Sequence, residues 1–121
     1  MNGCPFCDHS SALIENDLAY VRPDMFPVSR GHVLICPRRH FADYFDATEE
    51  ERQAIFFLLG EAKKNSTEAH NPDGFNVGIN CGEAAGQTVM HLHVHLIPRY
   101  KGDMDDPRGG VRGVIPEKQK Y

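Results

Sequence analysis

His91, His93 and His95 alternate in the run His91-Leu92-His93-Val94-His95-Leu96-Ile97. Imidazole is the side chain that titrates, attacks and binds metals near neutral pH. A strand sends successive side chains to opposite faces. On a strand the three rings would share one face, and Leu92, Val94 and Leu96 would take the other. Each of those apolar side chains gains about 1.5–3 kcal/mol from full burial; the ring face gains nothing comparable. Three readings follow: a passive hydrogen-bonded face, a three-histidine metal centre, and a face that does chemistry. Buried polar groups all need partners, and three rings at strict alternation favour chemistry over a passive face. Same-face neighbours stand about 6.5–7 Å apart, so two can share one ion, while a third is a long reach.

Two neighbouring motifs bear on the choice. Cys4-Pro5-Phe6-Cys7 reads as a redox dithiol, as half a zinc site, or as chance. Redox pairs usually open a helix after a strand, and no strand precedes this one. A zinc site needs two more ligands, and His40 and His91 are available. The loop Asn80-Cys81-Gly82-Glu83-Ala84-Ala85-Gly86-Gln87-Thr88-Val89 leads into the histidines. Its glycines let backbone N–H groups approach a ligand, and Asn80, Gln87 and Thr88 supply neutral polar groups. Beside three histidines it reads as an anion site, without the Gly-Lys-Ser/Thr of a Walker loop. Arg99 reads either as solvated or as a phosphate ligand. Cys36 and Cys81 read as fillers, and His9 and His70 as surface residues.

Several elements must position these groups. Strands are expected at Leu18 to Val21, His32 to Cys36, Phe75 to Asn80 and through the histidine run to Pro98. In the third of these, Phe75, Val77 and Ile79 share a face. Pro23, Pro27 and Gly31 bound a loop, and Phe41 to Phe45 suits a helical turn. Thr48 with Glu51 is a capping box. It opens a helix with Ile55, Phe56, Leu58, Leu59 and Ala62 in its buried stripe, which fades before the turn Asn71-Pro72-Asp73-Gly74. The tail from Gly102 to Tyr121 reads as an extended arm. Strands and one long helix without regular alternation predict an α+β domain with a mostly antiparallel sheet.

The chain has 121 residues, enough for one domain (1–100 as core, 101–121 as arm), with 40% hydrophobic and 25% charged residues. A net charge of −4 argues against binding nucleic-acid backbones, which needs a clustered basic face. No apolar run approaches a membrane span. Met1-Asn2-Gly3-Cys4 does not resemble a signal peptide, which favours the cytoplasm and reduced thiols.

The run Gly86-Gln87-Thr88-Val89-Met90-His91-Leu92-His93-Val94-His95-Leu96-Ile97-Pro98-Arg99 resembles the signature of the histidine-triad (HIT) family. Gly31-His32-Val33-Leu34-Ile35-Cys36-Pro37-Arg38-Arg39-His40 resembles that family's second block. The tail Asp106 to Pro116 looks like that of bacterial members described as diadenosine polyphosphate hydrolases.

The resemblance implies a five-stranded, mostly antiparallel sheet with one long helix, joined across a homodimer. It implies attack on the α-phosphate of a purine nucleotide, a dinucleoside polyphosphate or a nucleoside phosphoramidate, through a nucleotidyl-histidine intermediate. His93 would be the nucleophile. His95 would face the phosphoryl oxygens or leaving group, and His32 would complete the cluster. Asn80, Gln87, Thr88 and Val89 would bind phosphate, Asp24 the ribose hydroxyls, and Val21 and Phe26 would wall the purine. Structural zinc on Cys4, Cys7, His40 and His91 is implied, which withdraws His91 from catalysis; no organic cofactor is implied. Two other readings remain: a nucleotide-binding regulator with vestigial catalysis, and a zinc-dependent hydrolase.

Overall fold

The computed structural model describes residues 3–121; Met1 and Asn2, used above in reading the N-terminus, lie outside them. Five strands, β1 (Ile14–Glu15), β2 (Ala19–Pro23), β3 (Val33–Pro37), β4 (Gly74–Ile79) and β5 (Val94–Arg99), surround one helix in sequence, α1 (Glu49–His70). They form a single sheet in the order β1-β2-β3-β5-β4, antiparallel at every pairing. The α+β architecture is the one expected. The fifth strand that the resemblance implied is β1, which at two residues is too short for the residue pattern to locate.

The helix begins where its local chemistry says it should. The Thr48 side chain accepts from Glu51 N–H, and Glu51 accepts from Thr48 N–H, at 3.0 and 2.9 Å. It ends at Asn71, whose φ of 48° is left-handed, a conformation asparagine tolerates. Ile55, Leu58 and Ala62 are buried against Val21, Ile35, Leu92, Val94 and Leu96, with Leu59 half-buried beside them. Phe56 departs from expectation at 53% exposed. It lies one residue past Ile55, about 100° around the helix and off the stripe.

The sheet's second face carries a smaller cluster, Phe6, Tyr20, Leu34 and Cys36, with Val89 packed on it. The histidines occupy this side, because Leu92, Val94 and Leu96 turn to the helix. The alternation holds, but the regular strand starts at Val94. His91 and His93 sit in its irregular approach, where Leu92 N–H donates to Phe41 C=O at 2.7 Å. His32 likewise precedes β3. Gly31 before it has a φ of 91°, and an added Cβ would meet the His70 ring at 2.7 Å; only glycine suits that turn. His70 is therefore half-buried rather than superficial.

Other expectations are corrected locally. On β4, Phe75 and Ile79 reach the core while Val77 is 47% exposed. Val21 is fully buried under the helix. His9 packs on Tyr20 with ring centroids 4.6 Å apart, and its Nδ1 lies 3.1 Å from Arg38 Nη1. The tail is not extended: it coils into 3-10 turns at Gly110–Val114 and Pro116–Lys118, the first lying against β4. Among the described residues no helix is long and apolar enough to cross a membrane.

Candidate active site and metal cluster

The run before β5 divides its histidines between two sites. His91 is fully buried and turns toward the N-terminus. Its Nε2 lies 2.8 Å from Pro37 C=O, so Nε2–H donates and Nδ1 keeps its lone pair. That nitrogen is 3.4 Å from Cys4 Sγ, 3.6 Å from Cys7 Sγ and 3.2 Å from His40 Nδ1, and Cys7 Sγ is 3.4 Å from His40 Nδ1. Zinc bonds of about 2.3 Å to sulfur and about 2.05 Å to nitrogen in a tetrahedron separate S and N ligands by about 3.6 Å, and N and N by about 3.4 Å. The observed gaps match those edges, and the carbonyl behind His91 is the outer partner such a ligand uses. The four residues fit zinc. Arg39 helps to fix His40's loop: its guanidinium grips Glu51 at 2.8 and 3.0 Å, and this pairing holds the Glu51 carboxyl below its usual range.

His93 stands next along the chain. Its Nδ1 lies 2.8 Å from His91 C=O. A carbonyl only accepts, so Nδ1–H donates and the Nε2 lone pair is left for attack. The Phe6 ring meets the His93 ring edge-on at 5.0 Å. Phe6 is held in turn: Tyr20 O–H donates to its C=O at 2.7 Å, and the Arg22 guanidinium lies over its ring at 4.9 Å. Sequence reasoning missed these three supports. Their signal was a phenylalanine between two cysteines and a polar residue on a buried strand.

His95, the first pleat of β5 after Val94, stands 5.2 Å from His93 between ring centroids. Its Nδ1 is 3.0 Å from His32 Nε2, and Asp24 Oδ2 lies 3.3 Å from His32 Nε2. Burial, then the rings of His93 and His32, push His95 down to about 4 against the pull of Asp24. Burial lowers His32 and His91 as well. All three are neutral at pH 7.

Asp24, His32, His95 and Asn80 line one groove of about 820 Å³, with Phe26 and the tail residues Met104, Val111 and Val114 around it. A smaller cavity of about 380 Å³ runs between the helix and β2 and shares only Asp24, Ser29 and His32 with the groove. Thr88 is exposed and Val89 half-buried on the loop. Gln87 is placed differently: it is buried, accepts from Gly82 N–H at 2.9 Å, and donates to Ala42 and Val89 C=O at 2.9 and 3.2 Å. Its amide shapes the loop. Gly86, with φ of 96°, makes the turn in front of it. Arg99 is committed to Asp103 at 2.8 Å and Asn76 at 2.6 Å. Val21 contributes to the core and Phe26, 87% exposed, to the groove's mouth. The Cys36 thiol, pushed up to about 12 by burial, is a filler.

The HIT domain model matches residues 8–102. The chain belongs to the HIT family. A HIT family protein from Bacillus anthracis superposes with a TM-score of 0.78 at 36% identity, covering 84% of this chain and 77% of that one. A zinc-bound histidine triad family protein from Mycobacterium smegmatis gives 0.75 at 31% identity, over 84% and 78%. A bis(5'-adenosyl)-triphosphatase of Dictyostelium discoideum is 35% identical over 97 residues, 80% of this chain and 65% of that protein. The five-stranded sheet with its single helix is thus the HIT fold.

Proposed function

We propose that this HIT protein is a nucleotide hydrolase or transferase that cleaves a P–O or P–N bond at the α-phosphate of a purine nucleotide substrate. The observation that carries the reading is the proton placement at His93, where the His91 carbonyl engages Nδ1 and exposes an Nε2 lone pair beside His95. His93 Nε2 bonds to phosphorus, the leaving group departs with the P–O or P–N electron pair, and the neutral His95 ring steadies it with an Nε2–H hydrogen bond while solvent supplies any proton it takes up. Water then attacks the nucleotidyl-histidine, the P–N bond breaks with its electron pair returning to His93 Nε2, the water's proton passes to solvent, and His93 regains its starting form. Splitting one displacement into two lowers each barrier. The bis(5'-adenosyl)-triphosphatase relative supports a dinucleoside polyphosphate as substrate. Asn80, Thr88 and Val89 hold phosphate in this reading, and Asp24 the ribose.

Zinc on Cys4, Cys7, His40 and His91 would be structural: bound there, it cross-links the N-terminal turn to the approach of β5. The cluster geometry and the zinc-bound relative support this. The chain's own contribution is the His91 carbonyl, whose position sets the His93 tautomer. β4, a six-residue edge strand, offers the pairing surface for a homodimer.

His93→Ala tests the assignment. The variant should lose turnover by at least about a thousandfold and still bind nucleotide within about threefold of wild type. Retained turnover would refute His93 as nucleophile.

A further inference from the structure

Asp24, His32 and His95 converge on one point of the groove, and their hydrogen bonds fix where the protons sit. Val28 N–H donates to His32 Nδ1 at 3.0 Å. Nδ1 is therefore an acceptor, and the neutral His32 ring carries its proton on Nε2. That N–H faces two acceptors, His95 Nδ1 at 3.0 Å and Asp24 Oδ2 at 3.3 Å. Asp24 is itself anchored, because its Oδ1 accepts from Phe26 N–H at 2.8 Å. With His95 Nδ1 accepting, the His95 proton sits on Nε2, the nitrogen left to meet a leaving group.

The geometry points to Asp24 as a positioning residue that locks the His32–His95 pair in one proton arrangement, so that His95 presents Nε2–H to the departing group. The inference rests on the nucleotidyl-transfer reading and adds a task to Asp24 beyond a ribose contact. The carboxylate has the capacity for both, since its two oxygens together offer about four acceptor sites. The titratable groups that face His95 are His93 on its own segment, His32 ahead of β3 and Asp24 after β2. Its ladder neighbours are Leu34 on β3 and Gly78 on β4, so Asp24 is the anion of the set. Removing that charge takes away both the second acceptor for His32 Nε2–H and the pull that opposes burial at His95.

The same three residues have the composition of a two-histidine, one-carboxylate metal site. The proton placement argues against it. A metal on His32 Nε2 needs that lone pair, which moves the proton to Nδ1 and sets two N–H groups against each other at the 3.0 Å Val28 contact. The cluster is built to hold protons.

Asp24→Asn keeps the shape and the capacity to bond ribose hydroxyls but removes the charge. Long-range 1H–15N correlation spectra of the holoprotein at pH 7 read each histidine tautomer without turnover. The expected wild-type result is His32 and His95 each protonated at Nε2. In Asp24→Asn, His95 should show mixed tautomers, and kcat should fall at least about tenfold with KM within about threefold. Asp24→Glu, which keeps a carboxylate, should restore the single tautomer at least in part. An unchanged His95 tautomer in Asp24→Asn overturns the proposal, as does wild-type His32 protonated at Nδ1. A raised KM with unchanged kcat overturns it too and leaves Asp24 a ribose ligand. If wild type turned over no nucleotide, the functional reading would fall while the tautomer comparison still decided the role of Asp24.

Discussion

Acidification should loosen this fold through its histidines, and His95 sets the scale. Its ring titrates near 6.5 in an unfolded chain and at about 4 in the folded one. Between those values the unfolded chain binds the extra proton, so stability falls as pH falls from about 6.5 to about 4. Each pH unit of difference is worth about 1.36 kcal/mol. Evaluated between pH 7.5 and 4.5, the linkage comes to about 2.5 kcal/mol. The side chain retains 23% exposure, and screening trims the effect to about 2 kcal/mol. His32 and His91 are lowered by burial in the same direction, so wild type as a whole should lose more than this. The difference between wild type and His95→Asn isolates the one ring. Urea unfolding of both at pH 7.5, 6.5, 5.5 and 4.5 measures it. His95→Asn should lose about 2 kcal/mol less than wild type over that range. Parallel pH profiles would refute the argument that burial of a neutral His95 costs acid stability.

Cys4→Ser should release zinc, measured by elemental analysis of the purified protein, and should also slow turnover, because His91 then loses the anchor that places its carbonyl on His93. Full zinc content in the variant would contradict the ligand assignment. Gln87→Ala leaves Gly82 N–H and Ala42 C=O without their side-chain partner, so stability should fall by about 1–3 kcal/mol and KM should rise as the loop shifts. A variant of wild-type stability would show that the loop holds its shape without the amide.

Features written in local chemistry were legible in the sequence. Thr48 and Glu51 cap each other three residues apart, and Asn71 closes the same helix, so both ends could be placed without tertiary information. The Leu92-Val94-Leu96 alternation likewise reported which side the rings would take. What escaped needed contacts between distant segments. The tautomer of His93 depends on a backbone carbonyl at His91, in an approach where the regular strand has not yet begun. Gln87 reads as a phosphate ligand along the chain because its side chain is polar and its loop glycine-rich; its hydrogen bond to Ala42, 45 residues away, is invisible there. Asp24 sits eight residues before His32, yet only the fold of the intervening loop turns Val28 N–H and the Asp24 carboxylate onto one ring. Phe56 was misplaced because a single position off the stripe changes which way a helical side chain points.

The central claim is a covalent bond between His93 and the nucleotidyl group. Rapid-quench intact-mass spectrometry during turnover of a diadenosine polyphosphate tests it most directly, with wild type and His93→Ala side by side. The account predicts a transient mass increase of one nucleotidyl group on wild type and none on His93→Ala. Substrate consumed by wild type with no adduct at any time, or an equal adduct on His93→Ala, would contradict it.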